Sequence, residues 1–339
     1  MTSCRFFTHS NKSAALCISI FFFSLCCHEG TCQGPVKVIF DTDMGPDYDD
    51  VGALAMLHAL TEKGEAEILG TIASTKYEGV ANVLDIINTY FGKPDLPVGV
   101  PKGNALQLKD FQHWTDTLIR RYPCSIKSNK DASDAVTLYR TILASQPDHS
   151  VTIVTVGFLT NLSALLQSPP DEQVAMSGME LVERKVLRLV SMAGAFPAGQ
   201  EFNVKMDAAS AGYVFNHFPR PIFFSGVEIG FPIKTGRRLV DDTNISNSPV
   251  KDVYRVCMAL STEDANGRSS WDQTAVLVAV RQHQSWYELR EGRIILDADG
   301  KNRWDDHAKG HFYLVEKSNN RPAVANTIEN LMMYQPGKH

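Results

Sequence analysis

A short apolar strand runs directly into an acidic turn and then into a helix near the start of the chain. Val36–Phe40 is apolar, residues Asp41 to Asp50 hold five carboxylates, and the helical pattern continues through Val51–Leu57. In an α/β protein this order places the turn at the carboxyl edge of a parallel sheet, where ligands bind. The negative charges repel each other unless a cation neutralises them, and oxygen ligands favour Ca²⁺ or Mg²⁺. The turn therefore predicts a metal site.

Apolar runs alternate with helical patterns along the following sequence. The strand-like runs are Val36–Phe40, Ala66–Ile72, Val151–Val156, Val186–Met192 and Pro221–Phe224. The helical patterns are Asp50–Glu62, Glu78–Phe91, Ala132–Ala144, Asn161–Gln167, Asp207–Asn216, Val250–Leu260, Asp272–Arg281 and Ala323–Met333. This alternation predicts an α/β fold with an open, mostly parallel, Rossmann-like sheet and helices on both faces. Glu288–Ile294 and His311–Val315 are expected to form an antiparallel hairpin at the edge of the sheet.

The first 32 residues differ in composition from the rest of the chain. Two basic residues precede the uncharged, apolar stretch Ala14–Cys27, which is about 14 residues long and too short to span a bilayer comfortably. This order is typical of a signal peptide. We expect residues 1–32 to be removed, residues 33–339 to form one domain, and the protein to be periplasmic or secreted. A lipid-modified Cys26 or Cys27, which would anchor it to a membrane, and a retained N-terminal helix stay open.

Overall charge and the remaining cysteines exclude little. The formal net charge of −5 gives no sign of nucleic-acid binding. Cys124 and Cys257 neither require nor exclude a disulfide, and without a CxxC pair they give no zinc signature. Two long loops, Lys102–Lys130 and Ser261–Ser270, are expected either to cover a substrate or to be plain surface excursions.

The acidic turn taken alone also resembles that of the haloacid-dehalogenase phosphatases. In those enzymes the first Asp, here Asp41, is a nucleophile and the second, here Asp43, is an acid. That family places Thr or Val two residues after the second Asp, where this chain has Gly45. The three later carboxylates of the turn have no role in that scheme. A metal-dependent phosphatase therefore remains only an alternative.

Four later segments decide between these interpretations. They are Thr152–Leu162, Val186–Phe196, Glu201–Ala209 and Ser270–Leu277. Together with the acidic turn they resemble the inosine-uridine nucleoside hydrolase family, in the same order and with similar separations, over about residues 36 to 335. The resemblance implies the nucleoside hydrolase fold, a small-molecule nucleoside as substrate, and Ca²⁺-dependent hydrolysis of the N-glycosidic bond of ribonucleosides or related N-ribosides.

The resemblance also implies roles for individual residues. Asp43 matches a residue that is both metal ligand and general base, and Asp50 matches a second metal ligand. Asp49 matches a partner of a ribose hydroxyl. Asp272 matches a distant metal ligand, and Val156 would contribute its backbone carbonyl. Because the transition state is oxocarbenium-like, carboxylates near the ribose would stabilise its positive charge. The alternatives are that the negative charges of Asp49 and Asp50 only stabilise the N-terminus of a helix and that Asp272 only caps a helix.

Two further positions match ribose-binding residues, and a third departs from the family. Glu201 and Asn203 stand where the family holds ribose hydroxyls, although they could also be a solvated charge and a turn residue. The family often has a histidine directly before the distant Asp, where it can protonate the leaving base. This chain has Trp271 there, which either stacks on a base or packs as an ordinary aromatic residue.

Other departures leave parts of the site open. The turn has two more residues than the family pattern D-x-D-P-G-x-D-D, so Asp47 could displace one of the ligands named above. Protonation of the base could come from His113, His307 or His311, each of which could equally be a surface residue. A substrate with a good leaving group would need no acid. A non-catalytic ribose- or nucleoside-binding protein is a second alternative, and a homo-oligomer is possible because family members often form one.

Overall fold

The computed structural model describes residues 1–2 and 34–337, and residues from Gly34 onward form one compact unit. The strands are β1 (Val36–Thr42), β2 (Ala66–Ala73), β3 (Val98–Val100), β4 (Ser133–Asp134), β5 (Val151–Thr155), β6 (Val186–Met192), β7 (Ala198–Gln200), β8 (Ile222–Ser225), β9 (Lys234–Thr235), β10 (Arg268–Ser269), β11 (Tyr287–Leu296), β12 (Lys301–Asp305) and β13 (His311–Glu316). The predicted signal peptide, apart from its first two residues, lies outside the described residues.

Helices connect most of these strands. They are α1 (Asp49–Glu62), α2 (Val80–Tyr90), α3 (Trp114–Arg121), α4 (Ala135–Ser145), α5 (Thr160–Gln167), α6 (Gly178–Lys185), α7 (Phe202–Met206), α8 (Ala208–His217), α9 (Val227–Gly230), α10 (Arg237–Asp241), α11 (Pro249–Leu260), α12 (Trp271–Arg281) and α13 (Arg321–Met332). None of the helices in the described ranges is both long and apolar enough to cross a membrane.

One large sheet organises the molecule. Its strand order is β4-β3-β2-β1-β5-β6-β8-β13-β11-β12-β7, and the pairs from β4 to β13 are parallel. The pairs β13–β11, β11–β12 and β12–β7 are antiparallel. Strands β9 and β10 form a separate antiparallel pair. The α/β architecture with an open, mostly parallel sheet is therefore confirmed.

Helices cover both faces of the sheet, and alternate residues of β1 show how. Val38 and Phe40 belong to an apolar cluster that includes residues of α1, α2, α11, α12 and α13. Ile39 belongs to a second cluster, which includes residues of α4, α5, α6 and α8. Successive side chains of a strand point to opposite faces, so each face buries its own core. Asp41 and Thr42, the last two residues of β1, follow the same alternation.

The predicted hairpin is correct in its pairing and wrong in its position. β11 and β13 are antiparallel, with Gly292 opposite His311. However, β12 and then β7 extend the sheet beyond β11, so the hairpin does not form its edge. These two added strands are short and mostly polar, and they lack the apolar runs on which the sequence-based prediction depended. The loop predicted at Lys102–Lys130 also contains a helix, α3.

Candidate active site

A pocket of about 150 Å³ opens at the carboxyl edge of the parallel strands. It lies where β1, β5 and β6 end and where helices α7 and α12 begin. The residues that line it are Asp43, Asp47, Asp49, Val156, Met192, Glu201, Phe202, Asn203, Val227, Arg268, Trp271 and Asp272. Ligands are expected at this edge in doubly wound α/β folds. Every predicted site residue except the more deeply buried Asp50 lies on its wall.

Two turns meet closely at the base of this pocket. The backbone of Gly157, two residues after the end of β5, passes so near the acidic turn that a Cβ there would lie 2.7 Å from Asp43 Cβ and 2.6 Å from Ser74 Oγ. Only glycine permits this approach. It brings the Val156 carbonyl and the Asp43 carboxylate to the same end of the pocket, as expected for neighbouring parallel strands. β1 and β5 are indeed paired directly.

Carboxylates of the acidic turn and of α12 repel each other in the interior. Burial raises the pKa of Asp43 well above its ordinary value, and the charges of Asp50 and Asp47 raise it further. Burial likewise raises the pKa of Asp50, as do Asp47 and Asp49. The same causes, burial first, raise the pKa of Asp272. Carboxylates are tolerated at such depth only when a positive charge or a proton compensates them.

One carboxylate oxygen in this group has no partner. Asp50 is fully buried, and its Oδ1 accepts a hydrogen bond from the Thr42 hydroxyl. Its Oδ2 is buried without any hydrogen bond, which is costly unless something else contacts it. Among the residues that the structure describes, no group of three or more His, Cys, Asp or Glu side chains is arranged to hold a metal ion. The donor types nevertheless fit a hard cation, since they are all oxygens.

Arg268 is the positive charge of the pocket and was not identified from the sequence. Its Nη2 lies 2.8 Å from Asp47 Oδ2, its Nε donates to Asp49 Oδ1 at 3.2 Å, and its Nη1 lies 3.8 Å from Asp264 Oδ2. Its Cζ lies 5.0 Å from the ring centre of Tyr48. Asp47 therefore pairs with Arg268 and also lines the pocket; that it could displace one of the named ligands stays a prediction.

Asp49 is held as a hydrogen-bond acceptor on both oxygens. Its Oδ1 accepts from Arg268, and its Oδ2 accepts from the backbone N–H of Asp272 at 3.3 Å. Burial and the charge of Asp47 raise the pKa of Asp49 to about 7, although Arg268 opposes this shift. The side chain therefore connects the start of α1 to the start of α12, and it also lines the pocket.

Glu201 and Asn203 enter the pocket from the start of α7. Glu201 caps this helix, because its carboxylate accepts from the backbone N–H groups of Asn203 at 2.6 Å, Val204 at 3.1 Å and Gly194 at 3.3 Å. Burial raises its pKa to about 7 despite these bonds. Asn203 Nδ2 donates to the Val156 carbonyl at 3.1 Å. Neither residue is the solvated charge or plain turn residue that the sequence also allowed, since both are buried.

Trp271 packs on protein at both its edge and its face. Its Nε1 donates to the Val227 carbonyl at 2.9 Å, and the Arg268 Cζ lies 4.8 Å from its ring centre. The ring of Phe231 lies 6.2 Å away. The indole lines the pocket, but its N–H is not available to a substrate. Arg268 lies against one face of the indole ring. The two alternatives given by the sequence for Trp271, base stacking and ordinary packing, therefore do not exclude each other.

Asp41 lies outside the pocket. Its Oδ2 accepts from the Tyr139 hydroxyl at 2.8 Å and from Asn161 Nδ2 at 3.1 Å, on the other face of the sheet. Both of these donors are side chains. Burial raises its pKa to about 7. A phosphatase nucleophile would have to face the substrate, so this geometry counts against that alternative.

The histidines considered as proton donors do not line the pocket. His113 precedes α3, and its side chain is 71% exposed. His307 is exposed between β12 and β13. His311 is buried, its Nδ1 receives the backbone N–H of Ile294, and burial lowers its pKa to about 4.

Cys124 and Cys257 are both free thiols.

The two long loops differ in what they bring to the pocket. The Ser261–Ser270 loop contributes Arg268, directly before α12. The Lys102–Lys130 loop contributes no residue to the pocket lining, although the Leu108 carbonyl passes 3.4 Å from the Cβ position of Gly45 in the acidic turn. Arg268 follows a glycine in a polar stretch, and this local sequence gave no signal of its role.

Comparison with known proteins identifies the family. The model of the inosine-uridine preferring nucleoside hydrolases matches residues 38–331. The chain belongs to this family. A pyrimidine-specific ribonucleoside hydrolase, RihA, of Citrobacter koseri is 29% identical over 57% of this chain and 61% of its own length. The inosine-uridine preferring nucleoside hydrolase of Leishmania major is 27% identical over 54% of this chain and 57% of its own length.

Solved structures of similar proteins support the same fold. A plant nucleoside hydrolase, the PpNRh1 enzyme, superposes with a TM-score of 0.67 and 22% identity, covering 88% of this chain and 99% of its own. Such identity shows the fold and not the substrate. The aligned segments of the two curated relatives above span less than two thirds of their lengths.

Proposed function

We propose that this chain is a Ca²⁺-dependent hydrolase of ribonucleosides or related N-ribosides, which releases ribose and the free base. The observation that carries this proposal is the Asp50 oxygen that is buried without a partner between other buried carboxylates. A divalent cation would satisfy that oxygen and offset the repulsion around it. Membership of the nucleoside hydrolase family, which is metal-dependent in general, supports the same proposal.

The residues that would hold the cation are Asp43, Asp50, Asp272 and the carbonyl of Val156. All four supply oxygen, and Ca²⁺ accepts more oxygen ligands in more flexible geometry than Mg²⁺ does. When bound, the cation would supply positive charge that orients ribose hydroxyls. The Val156 carbonyl already accepts from Asn203, and a carbonyl oxygen has a second lone pair for a further partner.

The remaining side chains have roles that follow from their positions. Asp43 would take the proton of the water that attacks the anomeric carbon, which is the task of a general base. Asp49, Glu201 and Asn203 would receive the ribose hydroxyls. The carboxylates together would stabilise the oxocarbenium-like transition state, because their negative charge lies where positive charge develops.

An assay of free ribose tests this proposal. The purified protein is incubated with Ca²⁺ and with inosine, uridine, cytidine and nicotinamide riboside, and EDTA provides the metal-free control. We expect ribose from at least one substrate, and no ribose with EDTA. No ribose from any substrate would refute the proposal. Tight nucleoside binding in calorimetry without ribose would then indicate a binding protein, and phosphate release with Mg²⁺ would indicate a phosphatase.

We also infer that the protein is exported to the periplasm or the medium. The support is the N-terminal order of basic residues followed by the apolar stretch Ala14–Cys27. Fractionation of expressing cells, with N-terminal sequencing of the mature protein, tests this. A mature chain that begins near residue 33 is expected. An intact N-terminus in the cytoplasm would refute export, and a start at Cys26 or Cys27 in the membrane fraction would indicate a lipoprotein.

A further inference from the structure

Among the residues that the structure describes, no side chain that lines the pocket is free to donate a proton to a leaving base. Within residues 34–337, its lining includes no histidine, lysine, tyrosine or cysteine. Arg268 holds its proton too tightly to act as an acid. The N–H of Trp271 is bonded to the Val227 carbonyl, and the amide of Asn203 is bonded to Val156. What remains are carboxyl groups.

Three of those carboxyl groups are engaged as acceptors rather than as acids. Both oxygens of Glu201 receive backbone N–H groups. The oxygens of Asp49 receive Arg268 and a backbone N–H, and Asp47 pairs with Arg268. Protonation of any of these carboxylates would compete with a hydrogen bond or ion pair that it already accepts. Asp43 and Asp272 face the position proposed for the cation, where they act as acceptors as well.

Carboxyl groups outnumber the positive charges that are available to the pocket. Five carboxylates line it, Asp50 lies directly behind, and Arg268 is the cationic residue of the lining. That guanidinium is itself shared among Asp47, Asp49 and Asp264. A divalent ion and Arg268 together bring three positive charges, against six carboxyl groups in or directly behind the lining. A pocket lined by one sign of charge attracts the opposite sign.

We propose that the preferred substrates are N-ribosides whose base carries a positive charge, such as N7-alkylated purine or pyridinium ribosides. This inference rests on the proposed function. The C1′–N bond breaks and its electron pair goes to the nitrogen, which cancels the charge of the base, so the base leaves neutral without a proton. Water forms the new C1′–O bond and gives its proton to Asp43. The negative pocket binds the cationic substrate, and the missing acid is not needed.

Matched substrate pairs test the proposal. Guanosine and 7-methylguanosine, and likewise inosine and 7-methylinosine, differ by one methyl group and, in a buffer acidic enough for N1 to keep its proton, by one charge. The measured quantity is kcat/KM for each nucleoside with Ca²⁺, divided by its uncatalysed hydrolysis rate under the same conditions. We expect the corrected value to be at least tenfold higher for the cation of each pair. Equal or higher values for the neutral nucleosides would overturn this inference and leave the proposed function intact. Hydrolysis of neither would overturn both.

The pH profile with 7-methylinosine gives an independent readout. Nicotinamide riboside, whose pyridinium charge does not titrate, serves as a second substrate; without a required acid, its kcat/KM should stay level on the alkaline side. A bell-shaped profile, with an alkaline limb absent from the uncatalysed reaction, would show an essential acid and overturn the inference.

A pair of variants separates pocket charge from the Arg268 contact. Asp47 and Asp264 both pair with Arg268, but only Asp47 lines the pocket. In D47N we expect the ratio of kcat/KM for 7-methylinosine over inosine to fall about fivefold, since one pocket charge is lost. In D264N the ratio should change less than twofold. An unchanged ratio in D47N would contradict the charge argument.

Discussion

Asp41 and Asp43 are two residues apart, both are buried, and burial raises the pKa of both, yet their surroundings differ. Asp41 faces Tyr139 and Asn161, and its Oδ2 accepts from both of these side chains. Asp43 faces the pocket, where Asp50 and Asp47 add repulsion to its burial. On one face of the sheet neutral donors satisfy a carboxyl group. In the pocket at the carboxyl edge of the sheet, carboxylates are gathered without enough donors, which is the arrangement expected where a cation or substrate binds.

The largest expected effect is the difference in activity between a variant of Asp43 and a variant of Asp41. D43N should lower ribose release about 10³-fold, because it removes the general base and one oxygen of the cation site. The same variant should raise the melting temperature of the metal-free protein, since it relieves repulsion. D41N should keep activity within about tenfold of the wild type, since its side chain does not touch the pocket. A greater loss in D41N than in D43N would support the phosphatase alternative instead.

The second prediction concerns stability against pH on the Asp41 face. The folded-state pKa of Asp41 is about 7, raised from 3.8. The folded state therefore holds a proton that the unfolded state releases, and this contribution is fully present below about pH 4 and is lost as the pH rises through 7. Its full size is roughly 4 kcal/mol. D41N stays neutral at every pH, so the stability of the wild type relative to D41N should fall between pH 4 and 7 in urea unfolding.

A constant difference between the two proteins over this range would mean that Asp41 titrates alike in both states. It would then be ionised in the folded protein at pH 5, and the hydrogen bonds from Tyr139 and Asn161 would outweigh its burial. These measurements are made with EDTA present, so that metal binding on the opposite face does not contribute.

How much of the contrast between Asp41 and Asp43 could be predicted from the sequence depends on how far apart in the chain the interacting residues are. Apolar runs and turn residues predicted the central strands, and the rule that ligands bind at the carboxyl edge made the acidic turn with Asp43 a candidate site. Asp272 was added by the resemblance to the nucleoside hydrolase family. The role of Arg268 was not predictable, because it depends on Tyr48 and Asp47 approaching from a distant segment. Tyr139, the partner of Asp41, is likewise separated from it by 98 residues. Long-range polar pairs leave no local pattern.

The third prediction concerns the affinity of the pocket for a metal ion. Arg268 repels a divalent cation and satisfies Asp47 and Asp49. R268Q should therefore bind Ca²⁺ about tenfold more tightly in calorimetry, and Ca²⁺ should raise its melting temperature by more than it raises that of the wild type. The matched control is R281Q, which removes the arginine at the C-terminal end of α12, the helix that follows Arg268; Arg281 pairs there with Glu65 at 2.6 Å and 2.7 Å. Weaker Ca²⁺ binding in R268Q would show that Arg268 assembles the site rather than competing for it.

The smallest expected effect is on the face without a pocket. Y139F removes one donor to Asp41 and leaves that from Asn161, so we expect a loss of about 1 to 2 kcal/mol in the free energy of unfolding and activity within about twofold of the wild type. A double-mutant cycle with D41N should give a coupling of about 1 kcal/mol, because the two residues share one hydrogen bond. If Y139F lost most of its activity at unchanged stability, the two faces would be coupled through β1, and the contrast between Asp41 and Asp43 would be one of degree.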